Sequence, residues 1–261
     1  MEPTAMVEAF CSVADSVRDA LDGLDDWVRV PDTPSQYRHD VVADAVAVPM
    51  LLDAGFGVLS EESGEHEPGR EVIAVLDPVD GSTNASIGLP WFATSIAAVR
   101  RELIGRADDE AGTRAVVASM VRNQALGVTY TAVAGQGARR DGARIAPSPC
   151  RTLSDAIVVV NDLPPRLGAR QFRIYGAAAL DLCAVADGTF DGFVDCGVGL
   201  SPWDHLGAAL ICVEAGASIS CLDGRPLVDL DAGSRQAVVA GACPAIRDEL
   251  RAVVNTAVGA A

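Results

Sequence analysis

The chain of 261 residues contains no lysine; all 20 of its basic residues are arginine. Schiff-base chemistry on a lysine amine is therefore excluded, and so is the lysine of a phosphate-binding P-loop. Histidine is scarce: His39, His66 and His205 have no histidine or cysteine neighbour at ligand spacing. The seven cysteines include no C-x-x-C pair, and Cys183 and Cys212 lie inside apolar runs, which reads as buried free thiols. Zinc is thus disfavoured, and any metal is expected to take oxygen ligands, as magnesium, manganese and calcium do. The sequence also lacks a basic stretch leading into an apolar signal core, and any apolar run long enough to span a bilayer. A cytoplasmic protein is expected.

What the chain has in excess is carboxylate. Its formal net charge of -16 argues against a nucleic-acid backbone or an anionic membrane as partner, since both recruit clustered positive charge. With 49% apolar and 21% charged residues the composition is globular, and the length suits one large domain or two coupled ones. A boundary is expected near 145–155, at "APSPCRTLSD", dividing an N-terminal α+β half, 1–148, from a C-terminal α/β half, 149–261.

Apolar spacing predicts helices over 2–22 and 40–54, the second interrupted by Pro49. "GFGVLSEESGEHEPGREVIAVLD" reads as strand, acidic turn and strand. Further strands are expected at "FATSIAAV", "RAVVASMV" and "ALGVTYTAVA", with a surface loop over 100–113 and a hairpin at "GQGARRDGARI". The later half alternates strand "DAIVVVND", helix "GAAALDLCAVADG", strand "FDGFVDCG", and a helix from Ser201 as N-cap, through Pro202, to a stop at Gly216.

The acidic residues fall in a pattern. Glu61 and Glu62 end one strand, Asp77 and Asp80 end the next, and Asp204 opens an apolar helix beside Trp203. Alone, D-P-x-D-G is an ordinary turn and a glutamate pair an ordinary exposed pair. Together they supply oxygen ligands from separate loops, which is what one or two hard divalent cations require. The "DGSTN" that follows offers backbone N–H groups to a phosphate oxygen.

"LSEESG", "LDPVDGSTN" and "SPWDHLGAALICVEAGA", in that order, resemble the signature blocks of the inositol monophosphatase family of magnesium-dependent, lithium-sensitive phosphatases. The resemblance implies an α+β fold, a layered α-β-α-β-α sandwich, and a homodimer. It implies metal ligands at Glu61, Asp77, Asp80 and Asp204 and the Val79 carbonyl, for two or three Mg2+ ions, with Mn2+ an alternative. By the same resemblance Glu61, Ser82 and Asp80 are catalytic, Ser82 and Glu61 orienting the attacking water. Asp80, Gly81, Ser82, Asp195 and Ala177 would meet the substrate. Two departures concern substrate choice: the family's lysine before the second helix is missing, with Arg38 the available substitute, and Ala177 follows Gly176 where serine or threonine is usual.

The expected activity is hydrolysis of a small phosphorylated polyol such as an inositol monophosphate. Histidinol phosphate, fructose 1,6-bisphosphate and adenosine 3',5'-bisphosphate are alternatives in the same family, since fold does not choose the leaving group. A non-catalytic interaction protein retaining the metal site is the rival from another class. A calcium-binding domain fits less well, because the loop has no EF-hand spacing.

Overall fold

The computed structural model describes residues 1–27, 36–105, 112–162, 167–197 and 199–258. Residues 28–35, between the two expected N-terminal helices, and 106–111 of the expected surface loop lie outside the described residues. Five layers alternate. The first holds α1 (Pro3–Asp22) and α2 (Arg38–Asp53), which pack on each other. The helix α2 runs through Pro49 to Asp53.

The second layer is an eight-stranded sheet of β1 (Gly57–Ser60), β2 (Gly64–His66), β3 (Val72–Asp80), β4 (Ala93–Arg100), β5 (Val116–Asn123), β6 (Thr129–Val133), β7 (Gly137–Arg140) and β8 (Ala143–Arg144). Its order is β2-β1-β3-β4-β5-β6-β7-β8. A short helix, α3 (Ser82–Ser86), leaves β3. Behind the sheet lie α4 (Ala178–Ala186) and α5 (Pro202–Ala215). The fourth layer is a five-stranded sheet of β9 (Ile157–Val160), β10 (Gln171–Arg173), β11 (Gly192–Val194), β12 (Ser218–Cys221) and β13 (Val238–Gly241), in the order β10-β9-β11-β13-β12. The helix α6 (Pro244–Val258) covers it. This is the layered sandwich that the resemblance implies.

Three apolar clusters fill the spaces between layers. The strand β3 is buried on both faces, so it reads as an unbroken apolar run, yet its side chains still alternate. Ile73 and Val75 join the cluster with α4 and α5, whereas Ala74 and Leu76 join the one with α1 and α2. Continuing that parity puts Asp77 on the α5 side. The parallel pairing of β1 with β3 sets Ser60 against Leu76, and the Glu61 N–H extends it to the Leu76 carbonyl at 3.1 Å. Glu61 thus leaves the sheet beside Asp77. The first sheet ends at Arg144 and the second begins at Ile157, while the central cluster draws on both.

Candidate metal centre and active site

Between Asp77 and Asp80 the pairing of β3 with β4 shifts register. Pro78 has no N–H to give a ladder, and its carbonyl is taken by the Thr94 hydroxyl at 2.8 Å. The Asp77 carboxylate accepts the Val79 N–H at 3.0 Å, so the D-P-V-D segment is folded around its own first aspartate.

The helix α5 brings the third element. Asp204 sits in its first turn and accepts the N–H of the cap residue Ser201 at 2.7 Å, which fixes the carboxylate at a helix N-terminus. His205 is a fully buried core residue, its ring nitrogens facing the carbonyls of Ser201 at 2.8 Å and Leu227 at 3.2 Å. Trp203 is 7% exposed and packs in the central cluster.

Glu61, Asp77 and Asp204 offer carboxylate oxygens that all lie within 4.8 Å of one another. Burial pushes the Glu61 carboxyl up to about 8, with the charges of Asp204 and Glu62 adding to it, although the residue keeps a solvent-exposed edge. Asp77 is held well above the usual carboxylate range by burial and then by Glu61 and Asp80. Burial also raises Asp204, to about 6, against the Ser201 N–H and the Arg235 charge, which favour its ionised form. Carboxylates this close with no cation between them hold protons; a hard divalent cation ligated by oxygen replaces those protons, so the donor set fits Mg2+ or Mn2+.

Asp80 stands next to this trio but is partly committed elsewhere. Its Oδ2 accepts the Ala179 N–H at the start of α4 at 2.8 Å, and burial followed by the Asp204 charge keeps its carboxyl well above the usual range. The Ser82 hydroxyl lies 2.8 Å from Asp40 Oδ1 and 2.9 Å from the Val79 carbonyl. Gly81 has a φ of 87° and a Cβ there would meet Ala177 Cβ and the Trp91 carbonyl at 3.0 Å, so only glycine fits. The Asn84 amide ties the loop down, donating to the carbonyls of Trp91 at 2.8 Å and Tyr175 at 2.7 Å.

Other expected contacts are not where the sequence put them. Ala177 is fully buried behind Gly81, a packing residue with no surface to offer a substrate. Arg38 does not replace the missing lysine: it pairs with Asp26 at 3.0 Å on the surface. The residue beside the glutamate pair is Gln36, whose amide donates to Glu62 at 2.5 Å. Asp195 is 1% exposed and accepts the Gly197 N–H at 3.0 Å, so one of its oxygens holds its own loop.

Asp40 is the site residue that the sequence reading missed. It lies in the first turn of α2, 3% exposed, and burial raises its carboxyl to about 7 against the Ser82 hydroxyl bond. Its position matches that of Asp204, an aspartate three residues after a helix cap, and this was the available signal. Beside it His39 is fully buried between Tyr37 and Trp27, with Nε2 3.3 Å from Asp40 Oδ1, and burial lowers it to about 4.

The fold and site define a class of five-layer α+β sandwich proteins with a carboxylate centre at the meeting of two strand ends and a helix start. The chain belongs to the inositol monophosphatase family, whose sequence pattern matches residues 51–257. It is 37% identical over 206 residues to Nus factor SuhB of Escherichia coli strain K12, covering 71% of each chain. It is 32% identical over 225 residues to the fructose-1,6-bisphosphatase/inositol-1-monophosphatase of Archaeoglobus fulgidus, covering 82% of this chain and 84% of that one. Among solved structures, the suhB extragenic suppressor protein of Bartonella henselae superposes with a TM-score of 0.78 at 27% identity, covering 96% of this chain and 98% of that one.

Proposed function

We propose that the protein is a magnesium-dependent phosphomonoesterase that hydrolyses a small phosphorylated polyol, with an inositol monophosphate as the leading substrate. The observation that carries this reading is the convergence of Glu61, Asp77 and Asp204 oxygens within 4.8 Å beside the Ser82–Asp40 pair. Relatives named as phosphatases support it, among them the inositol-1-monophosphatase of Mesorhizobium japonicum at 34% identity over 205 residues.

Divalent metal bound here supplies Lewis acidity to the phosphate and lowers the pKa of water. The chain's own residues do the rest. Glu61, Asp77, Asp80, Asp204 and the Val79 carbonyl hold the cations. Ser82, backed by Asp40, aligns the attacking water and passes its proton to the Asp40 carboxylate, with Glu61 aiming from the other side. The Gly81 and Ser82 N–H groups hold a phosphate oxygen, and Asp80 receives a substrate hydroxyl. No covalent enzyme intermediate is required, consistent with a site lacking cysteine and lysine. A homodimer of the 27.0 kDa chain belongs to this reading, checked by light scattering.

Phosphate release from inositol 1-phosphate, fructose 1,6-bisphosphate, histidinol phosphate, adenosine 3',5'-bisphosphate and NADP, with and without magnesium, tests the assignment. Turnover lost on chelation supports it; silence from a folded, magnesium-bound protein sinks it. A second reading, a binding role, draws on relatives that carry the name Nus factor. It gains if every ester is left intact.

A further inference from the structure

Beyond the acidic centre, a cavity of about 300 Å3 opens at the end of β11, between the loop after β12 and the later part of α6. Asp195, Gly197, Leu222, Arg225, Arg235 and Asn255 are among the residues that line it. The volume is at the lower limit for a small-molecule pocket and holds a phosphate or carboxylate with a few carbons.

Its two arginines differ. Arg225 is already partnered, with Nε 2.6 Å from Asp223 Oδ2 and another guanidinium nitrogen donating to the Arg235 carbonyl at 2.9 Å. Among the described residues Arg235 donates to carbonyls of its own loop, those of Ala232 at 3.2 Å and Ser234 at 2.7 Å. Among the described residues no carboxylate forms an ion pair with it. Those carbonyls orient the guanidinium without neutralising it, and a planar fork of this kind suits a phosphate or carboxylate.

The loop that carries Arg235 is tied to the segment that leads into α5 and Asp204. Leu200 and Gln236 exchange backbone hydrogen bonds of 2.9 Å in both directions, which fastens the loop carrying Arg235 to the segment that enters α5. A Cβ on Gly199 would meet Arg235 Cβ at 3.1 Å, so glycine permits the close approach.

In a chain of net charge -16 a free anion gains little from one guanidinium. An anion tethered to a phosphate already held at the acidic centre arrives at high effective concentration. We propose that Arg235, with Arg225 beside it, forms a subsite for a second anionic group carried on the leaving-group side of the substrate. The inference rests on the phosphatase reading and narrows it to esters bearing a further phosphate or carboxylate.

The matched pair fructose 1-phosphate and fructose 1,6-bisphosphate tests it, with wild type, Arg235→Gln and Arg235→Lys in magnesium. The wild type prefers the bisphosphate; Arg235→Gln lowers that preference by about tenfold, chiefly through KM, and Arg235→Lys restores most of it. An unchanged preference, or equal losses on both esters, overturns the subsite. If the wild type turns over neither ester, the phosphatase reading fails first, and calorimetric titration of both sugars into magnesium-loaded protein decides the subsite separately. Tighter binding of the bisphosphate, abolished in Arg235→Gln, upholds it; equal affinities overturn it. Inorganic phosphate bound with magnesium chelated, and lost in Arg235→Gln, identifies a free-anion site and also overturns it.

Discussion

The Ser82 hydroxyl and the Asp40 carboxylate, 42 residues apart in the chain, meet at 2.8 Å between the start of α3 and the first turn of α2. A hydroxyl so held points its lone pairs in one direction, and the aspartate behind it is the nearest proton acceptor. On the proposed mechanism Asp40→Asn keeps the shape and removes the acceptor. Its kcat is expected to fall by about a hundredfold with KM little changed, and Ser82→Ala similarly. Steady-state phosphate release checks this, and an Asp40→Asn enzyme within twofold of wild type would remove the pair from the mechanism.

The clustered carboxylates make metal binding a stability effect. Cation binding to the folded chain alone raises its stability with metal concentration, by about 2.7 kcal/mol at a hundredfold excess over Kd. Millimolar magnesium should therefore raise the Tm of the wild type by several degrees. Asp77→Asn removes one of the repelling charges, so it should be more stable than wild type in chelator yet gain nothing from magnesium. Thermal scans of both proteins, with and without the ion, read this directly; a magnesium shift retained in Asp77→Asn refutes the ligand assignment.

Asp181, on α4, supplies a pH dependence outside the metal cluster. It is 1% exposed, and Oδ1 accepts the Trp91 indole N–H at 2.8 Å. Burial raises its carboxyl from 3.8 to about 7. Its contribution to stability is complete below the unfolded value and is lost as pH rises through 7, where ionisation must occur in a buried site. Asp181→Asn keeps the acceptor for Trp91 and cannot ionise. Its Tm relative to wild type should climb between pH 4 and pH 8, by an amount equivalent to at most about 4 kcal/mol. A constant difference across that range would show that Asp181 does not titrate this way.

The surface charge predicts a salt effect of the same kind. With a net charge of -16 the folded chain repels itself, and added salt screens that repulsion. In chelator, Tm should rise steadily as potassium chloride is raised to about 1 M, where the screening length is about 3 Å. A Tm that falls over this range counts against self-repulsion as a main cost of this composition.

The elements that carry the acidic centre were legible because their signals are local. The apolar run of β3 ending in D-P-V-D, and the Ser201-Pro202 start and Gly216 stop of α5, each sit within a short stretch, and the structure has them where the sequence puts them. Asp40 was not legible, because what marks it is a 42-residue contact with Ser82. Ala177 was misjudged for a similar reason. Its neighbour in space is Gly81, on another layer, and the sequence shows the missing hydroxyl without showing that the side chain faces inward. The short strand β10 and the later strands β12 and β13 depend on partners brought together by the second sheet, and no periodic signal in so few residues identifies them.

Gly207 joins the fold to the site. It lies on α5, one turn beyond Asp204, where the helix crosses β4; a Cβ there would stand 2.4 Å from Ser95 Oγ and 3.4 Å from Val121 Cγ2. The Ser95 hydroxyl lies 3.5 Å from the Trp203 carbonyl, so helix and strand touch through their smallest groups. In Gly207→Ala the better helix propensity of alanine, about 1 kcal/mol, opposes an overlap that the buried serine cannot leave freely. Overpacking of this size costs about 1–3 kcal/mol, so a net loss of stability is expected, and it comes with a shift of Asp204 away from Asp77. Removing the serine hydroxyl with Ser95→Ala in the same chain should recover most of both the Tm and the magnesium-induced Tm shift. Recovery of stability without recovery of the magnesium shift would mean that the α5–β4 contact supports the fold but does not set the spacing of the acidic centre.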